Sequence, residues 1–225
     1  MSITPNFVKI LEICKKFSYG LVNDLGNIPR RGVVPRFSDL DVIALSLTAE
    51  HLGIDSENNL FDQLKEYQKD FRHLISRRQF NDRRKNTYQL CEMIRKRIAK
   101  AMDGAEEYFC VDSKPIEVCR LSRGKRCKMD KDEPDKSPAF GYCATQGVYY
   151  YGYKLHAVCG LRGVIHSFDL TAANVHDIHY MKDVKIEFSE CSILADRTYL
   201  SAELQQDLFS SAHINLEVPC RLNMK

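Results

Sequence analysis

The spacing of apolar residues changes character near the middle of the chain. Before Gly104 it follows a helix; after it, short apolar runs and alternation prevail. Ser38 stands where it would cap a helix over residues 39–52, in which Leu40, Ile43, Ala44, Leu47 and Leu52 recur at roughly helical intervals. Gly53 sits where helices commonly end in a left-handed residue. Ser56 predicts a second helix through Phe71, with Leu60, Phe61, Leu64 and Tyr67 on one side. A third helical pattern runs from Ser76 towards Met102. At about 100° per residue, Phe80, Thr87, Cys91, Ile94, Ile98 and Ala101 fall on one stripe, with Arg78, Lys85 and Lys96 opposite. Arg83 projects onto the apolar stripe, so this segment reads either as two helices with a break or as one whose first turns are undocked. Three helices with a turn near Gly53 suit a helix-turn-helix module and equally any small bundle.

Beyond Gly104, residues 108–111 form an apolar run ending at Asp112, and residues 120–138 read as a polar loop. Residues 148–159 alternate: Tyr149, Tyr151, Tyr153 and Leu155 point one way, and Tyr150, Gly152, Lys154 and His156 the other. A second strand over 164–170 follows at hairpin distance. A short helix over 174–184, an apolar run over 192–195 ending at Asp196, a helix capped by Ser201 through Ala212 and a last strand over 214–218 complete the order. The expected fold class is mixed α/β: a helical region, 1–104, then an α/β domain, 105–225.

Composition narrows the class. With 225 residues, 44% hydrophobic and 28% charged, the chain has material for one large or two modest domains and is neither disordered nor collagen-like. No apolar stretch reaches the length of about eighteen residues that a membrane span needs, and Lys9, Glu12, Lys15 and Lys16 interrupt any leader-like run. Nine cysteines without a CxxC pair, several such as Cys110 and Cys159 inside apolar runs, read as reduced, buried thiols. The net charge of +3 hides an asymmetry: residues 76–100 hold nine Lys/Arg against Asp82 and Glu92. An anionic partner would feel that field, although a charge run by itself is more often a solvated helix face.

Asp112 and Asp196 share a context, each ending an apolar run. If their strands are neighbours the two carboxylates converge, and converging carboxylates repel unless a cation lies between them. Oxygen ligands suit Mg²⁺ or Mn²⁺, and a pair of such metals about 4 Å apart serves phosphodiester cleavage. Taken singly, each aspartate reads as the start of a loop.

The motifs then add a resemblance. Tyr108-Phe109-Cys110-Val111-Asp112-Ser113-Lys114-Pro115, Gly141-Tyr142-Cys143, Tyr150-Tyr151-Gly152-Tyr153-Lys154-Leu155-His156, Thr171-Ala172-Ala173-Asn174-Val175-His176-Asp177 and Leu194-Ala195-Asp196-Arg197-Thr198-Tyr199-Leu200-Ser201 occur in this order. Together they resemble bacterial DDE transposases and are most similar to the insertion sequence 982 family. The resemblance implies a ribonuclease-H-like catalytic domain behind a helical DNA-binding region, with Asp112 and Asp196 as catalytic, metal-binding carboxylates for Mg²⁺ or Mn²⁺. It implies transposon-end and target DNA as partners, a homo-oligomer when active, no membrane association, and a bacterial cytoplasmic, nucleoid-associated location. In its light Arg77, Arg78, Arg84, Lys85, Lys96 and Lys100 become candidates for DNA phosphates. Lys154 and His156 would reach a phosphate or a metal-bound water, or else form the solvated face of an edge strand. Arg197 and Tyr199 would contact the DNA backbone, or else be turn residues. Asp177 reads as a first-turn acid favouring a helix dipole.

Two departures matter. A third acidic residue, a Glu on a helix beyond the last strand, has no counterpart before Lys225, and Glu217 belongs to a strand; the expectation is therefore a C-terminally truncated domain with impaired cleavage and strand transfer. Thr198 occupies a place where the pattern commonly has Gly, which would strain the turn if φ were positive there. The alternatives are an inactive DNA-binding relic, or a repressor of full-length transposase, and a nuclease of the same fold.

Overall fold

The computed structural model describes residues 2–133 and 136–219. It divides into two compact units, up to residue 98 and from 99 onward. Among the described residues no helix is long and apolar enough to cross a membrane.

The first unit is helical: α1 (Ile3–Phe17), α2 (Asp39–His51), α3 (Glu57–Leu64), α4 (Arg77–Asn86) and α5 (Tyr88–Asp103), whose last residues belong to the second unit. Capping explains the starts. Ser38 accepts the Asp41 N–H while the Asp41 carboxylate accepts the Ser38 N–H at 2.7 Å, satisfying two donors the helix cannot. Ser76 and Gln79 do the same for α4. Gly53 takes φ +68 beyond the end of α2, as its position predicts. The second expected helix is shorter than the pattern suggests: it gives way to a 3₁₀ turn at Lys65–Tyr67, and Phe71 reaches the core against Phe7 (4.9 Å between ring centroids) after the chain has left the helix.

The long third pattern is two helices broken at Thr87, a buried residue whose hydroxyl donates to the Arg84 carbonyl. Arg83 lies on the apolar stripe because its guanidinium is buried against a buried carboxylate: it donates to Asp39 Oδ1 at 2.6 Å and to the Phe37 carbonyl. Asp39 is 1% exposed and also accepts from Arg30 and from the Ile28 N–H.

The second unit holds one mixed sheet: β1 (Tyr108–Cys119), β2 (Ala139–Cys143), β3 (Val148–Gly160), β4 (Ile165–Ala172), β5 (Cys191–Leu194) and β6 (Ile214–Glu217). The order is β2-β3-β1-β5-β6, with β4 also on β3. β1 to β4 pair antiparallel, while β5 and β6 run parallel to β1 through crossovers by α6 (Ile178–Glu187) and α7 (Ala202–Ala212). Tyr180, Met181 and Val184 of α6 and Leu204 and Leu208 of α7 pack against Phe109, Val111, Val158, Ile193 and Ile214. Hydrophobic burial there holds the helices on one sheet face.

Several expectations change. β1 does not stop at Asp112; it continues to Cys119, because its second half pairs with β3 from Asp112↔Ala157 to Cys119↔Tyr151. Residues 139–143 form the unpredicted β2, and α6 starts four residues later than the expected helix. The reading of the cysteines as buried thiols is corrected: Cys14 and Cys191 are buried, Cys110 is exposed and Cys159 intermediate, while Cys220 lies outside the described residues. Cys110 shares the alternate, uncovered sheet face with Tyr108 and Asp112.

Gly152 of β3 lies opposite Glu117 of β1, beside the register shift between Glu117 and Cys119. A Cβ there would lie 1.9 Å from the Ile116 carbonyl oxygen, a backbone atom that cannot swing aside. Gly152→Ala is expected to destabilise the sheet by about 1–3 kcal/mol or more, read as a lowered urea midpoint by circular dichroism; an unchanged midpoint would contradict the packing described.

Candidate active site

Parallel pairing of β1 with β5 ends at Cys110↔Leu194. Asp112 and Asp196 each follow that last pair by two residues, so the topology brings both to the same end of the neighbouring strands. Both are exposed. Asp112 Oδ1 accepts the Ser113 N–H at 2.7 Å. Asp196 Oδ1 accepts the Thr198 N–H at 2.9 Å and lies in short contact with the Thr198 hydroxyl, an arrangement that caps the 3₁₀ turn Arg197–Tyr199. Thr198 is not among the positive-φ residues, so the expected strain is absent.

Asp177 joins them, which its sequence position did not suggest. It precedes α6 but makes no capping hydrogen bond with its side chain. Instead Oδ1 accepts from Lys154 Nζ at 2.6 Å, and Oδ2 lies 3.3 Å from both the Ser113 and the Thr198 hydroxyls. The Lys154 and Asp177 side chains are only 18% and 12% exposed. Tyr199, the residue after Thr198, is fully buried in the core of this unit. Burial first, then the charges of Asp177, Asp196 and Asp112, push its phenol well above the ordinary value, which keeps it neutral.

Two expected DNA contacts are corrected by this geometry. His156 and Tyr199 are both 0% exposed, so neither ring is offered to a ligand at the surface. The covered face of β3 carries Tyr150, Gly152, His156 and Val158, because α6 packs on that side. It is not a solvated edge. His156 bonds Thr171 Oγ1 at 2.8 Å and stacks on Tyr180; burial, helped by the Lys154 charge, lowers its pKa against the opposing pull of Asp177 and Asp169.

Arg197 is exposed directly beside Asp196. On α4 and α5, Arg77, Arg78, Arg84, Lys85, Lys96 and Lys100 are all exposed. Arg77 and Arg84 reach Glu57 of α3, at 3.8 and 3.2 Å, so these two also brace α4 against α3. The groups that sequence reasoning missed are Ser113, Asp177 and Thr198. Ser113 follows Asp112 directly and Thr198 lies two residues beyond Asp196, and all three groups fall within the quoted motifs, which was the available signal.

The bonds described engage only Oδ1 of Asp112 and of Asp196, leaving each carboxylate an oxygen for a ligand. Hard oxygen donors at an exposed strand end fit Mg²⁺ or Mn²⁺, of which Mg²⁺ retains several waters and accepts one or two carboxylates plus substrate phosphate oxygens. Among the described residues no group of three or more His, Cys, Asp or Glu side chains is arranged to hold a metal. Glu217 is exposed on β6, where it accepts from the Asn215 side-chain amide, and Asp207 pairs with Lys185.

The family model for the transposase DDE domain matches residues 103–225, more than half of the chain. The chain therefore belongs to the transposase DDE domain family, and its mixed sheet is the ribonuclease-H-like scaffold of that class. No curated protein and no solved structure matches it.

Proposed function

We propose that this chain is a DNA transposase of a bacterial insertion sequence, of the insertion sequence 982 type, that acts on transposon ends and target DNA. The observation that carries the reading is the placement of Asp112 and Asp196 at one end of the parallel β1–β5 pair, within a domain that matches the transposase family. In this reading the two carboxylates hold Mg²⁺ or Mn²⁺, which supplies charge stabilisation at the phosphorus being displaced. The chain's own contribution is positional. Asp112 and Asp196 fix the anionic end of the sheet, and Arg197 beside them offers a cation to a DNA phosphate. Arg78, Lys85, Lys96 and Lys100 supply further phosphate contacts, with Arg77 and Arg84 shared between DNA and Glu57. A homo-oligomer brings two ends together, and the nucleoid is the place of action.

A second reading has one observation in its favour. The described residues bring no third metal-binding carboxylate to Asp112 and Asp196, and two carboxylates hold a second metal weakly. Binding without efficient cleavage would make the chain an impaired transposase or a repressor of its relatives.

DNA carrying the ends of the chain's own element separates the two. Transposase function predicts salt-sensitive end binding together with Mg²⁺- or Mn²⁺-dependent nicking. A repressor predicts the same binding, still present in Asp112→Asn, with no nicking in either protein. Hydrolysis of generic DNA without end preference would replace both with a nuclease.

A further inference from the structure

We propose that Asp177 is a positioning residue for the aspartate pair: its carboxylate fixes the separation of Asp112 and Asp196 by receiving Ser113 on one side and Thr198 on the other, while Lys154 neutralises it. This rests on the reading of Asp112 and Asp196 as metal-binding carboxylates.

The bonds form one continuous path. Ser113 donates its N–H to Asp112 Oδ1 (2.7 Å), and its hydroxyl lies 3.3 Å from Asp177 Oδ2. The same oxygen lies 3.3 Å from the Thr198 hydroxyl, whose single proton is shared with Asp196 Oδ1. Thr198 also donates its N–H to Asp196 Oδ1 at 2.9 Å. Three chain segments, β1, β3 and the turn after β5, therefore meet at one side chain, and that side chain is 12% exposed.

Three observations separate this role from the alternatives. Asp177 makes no side-chain cap to α6, so its carboxylate is not spent on the helix it precedes. Both of its oxygens are already engaged, Oδ1 by Lys154 at 2.6 Å, so it is not disposed as a third ligand. A third uncompensated carboxylate would also repel the other two; Lys154 removes that repulsion and leaves the pair with its two negative charges. Groups that orient metal ligands from one bond away typically alter metal affinity by 10–100-fold.

The test is Mn²⁺ binding to the full chain, followed by electron paramagnetic resonance of the free ion, with circular dichroism as the control for folding. Asp177→Asn keeps the shape but loses the Lys154 pair and weakens acceptance; Thr198→Val removes the hydroxyl at an exposed turn. Each is expected to weaken Mn²⁺ binding about tenfold. The double variant is expected to cost no more than either alone, because both cut the same path. Asp112→Asn is expected to remove binding altogether. Unchanged affinity in Asp177→Asn, fully additive losses, or a loss as complete as that of Asp112→Asn would each overturn the positioning role; the last would make Asp177 a ligand. Should Asp177→Asn fail to fold, Thr198→Val decides alone: a tenfold loss supports the role and unchanged affinity overturns it. If Asp112→Asn and Asp196→Asn both leave Mn²⁺ affinity intact, the metal reading fails, and the positioning role fails with it.

Discussion

Replacing Asp112 or Asp196 by asparagine is expected to reduce Mg²⁺-dependent nicking of end DNA by about a thousandfold or more, a change in activation free energy of about 4 kcal/mol. The substitution keeps the shape of the side chain and removes its charge, so the loss is electrostatic. Metal charge stabilisation at a displaced phosphoryl group amounts to several kcal/mol, and a neutral amide oxygen is a much poorer donor to a hard divalent ion. The same substitutions should leave the metal-free protein as stable as before, or slightly more so. Both aspartates are exposed, and removing one charge relieves its repulsion with the other. Activity and stability thus move independently, which a residue that merely supports the sheet would not allow. The measurement pairs single-turnover nicking in Mn²⁺ and Mg²⁺ with thermal denaturation of the metal-free protein. Nicking retained within tenfold would remove these aspartates from the active site.

Much of the architecture was legible because it is local. Ser38, Ser76 and Ser201 each open a helix where the side chain of a serine meets the free backbone donors, and the apolar runs before Asp112 and Asp196 do form parallel neighbours. The second half of β1 was hidden for a physical reason. None of residues 112–119 is fully buried on either face of the sheet, so polar and apolar side chains mix without a clear period. Beyond Cys110 this strand pairs with β3 and no longer with β5, an edge-like setting that tolerates Pro115. The alternation in β3 grouped Lys154 with His156 correctly but suggested the wrong exposure. Three tyrosines look more apolar than Gly152, Lys154 and His156, yet α6 packs on the latter group, and their polar atoms find Asp177 and Thr171 inside. The centre of the site was invisible for a related reason. Hydrogen bonds among Ser113, Asp177 and Thr198 span 21 to 64 positions and leave no periodic trace. Arg83 did leave a trace, as a misfit on the apolar stripe, and the structure gives that misfit its meaning.

Arg83→Ala is expected to destabilise the helical unit by about 3–5 kcal/mol, the usual cost of removing one partner from a buried ion pair. The carboxylate left behind, Asp39, is 1% exposed and would retain only Arg30 and the Ile28 N–H. Burial by itself would raise the pKa of Asp39. Hydrogen bonds from Arg83, Ile28 and Arg30, with the Arg83 charge, outweigh burial and hold the carboxyl below the ordinary aspartate range. A depressed folded-state pKa gives stability that is fully present above the unfolded value, about 3.9, and is lost as pH falls through the folded value. Hydrogen exchange of the α2 and α4 amides resolves this unit from the sheet. At neutral pH, Arg83→Ala should lower their protection by about a hundredfold or more, since about 1.4 kcal/mol corresponds to a factor of ten. Below the ordinary aspartate range the wild type should lose protection as well, and the gap between the two proteins should narrow, because protonation of Asp39 removes the charge that Arg83 answers. Replacing Arg83 by methionine together with Asp39 by leucine should cost less than Arg83→Ala, because no buried charge would remain: Arg30, which also loses its partner, has a side chain 36% exposed to water. Equal losses in the single and double variants would mean that Arg83 stabilises α4 through the packing of its stem and its bond to the Phe37 carbonyl, and not through the ion pair.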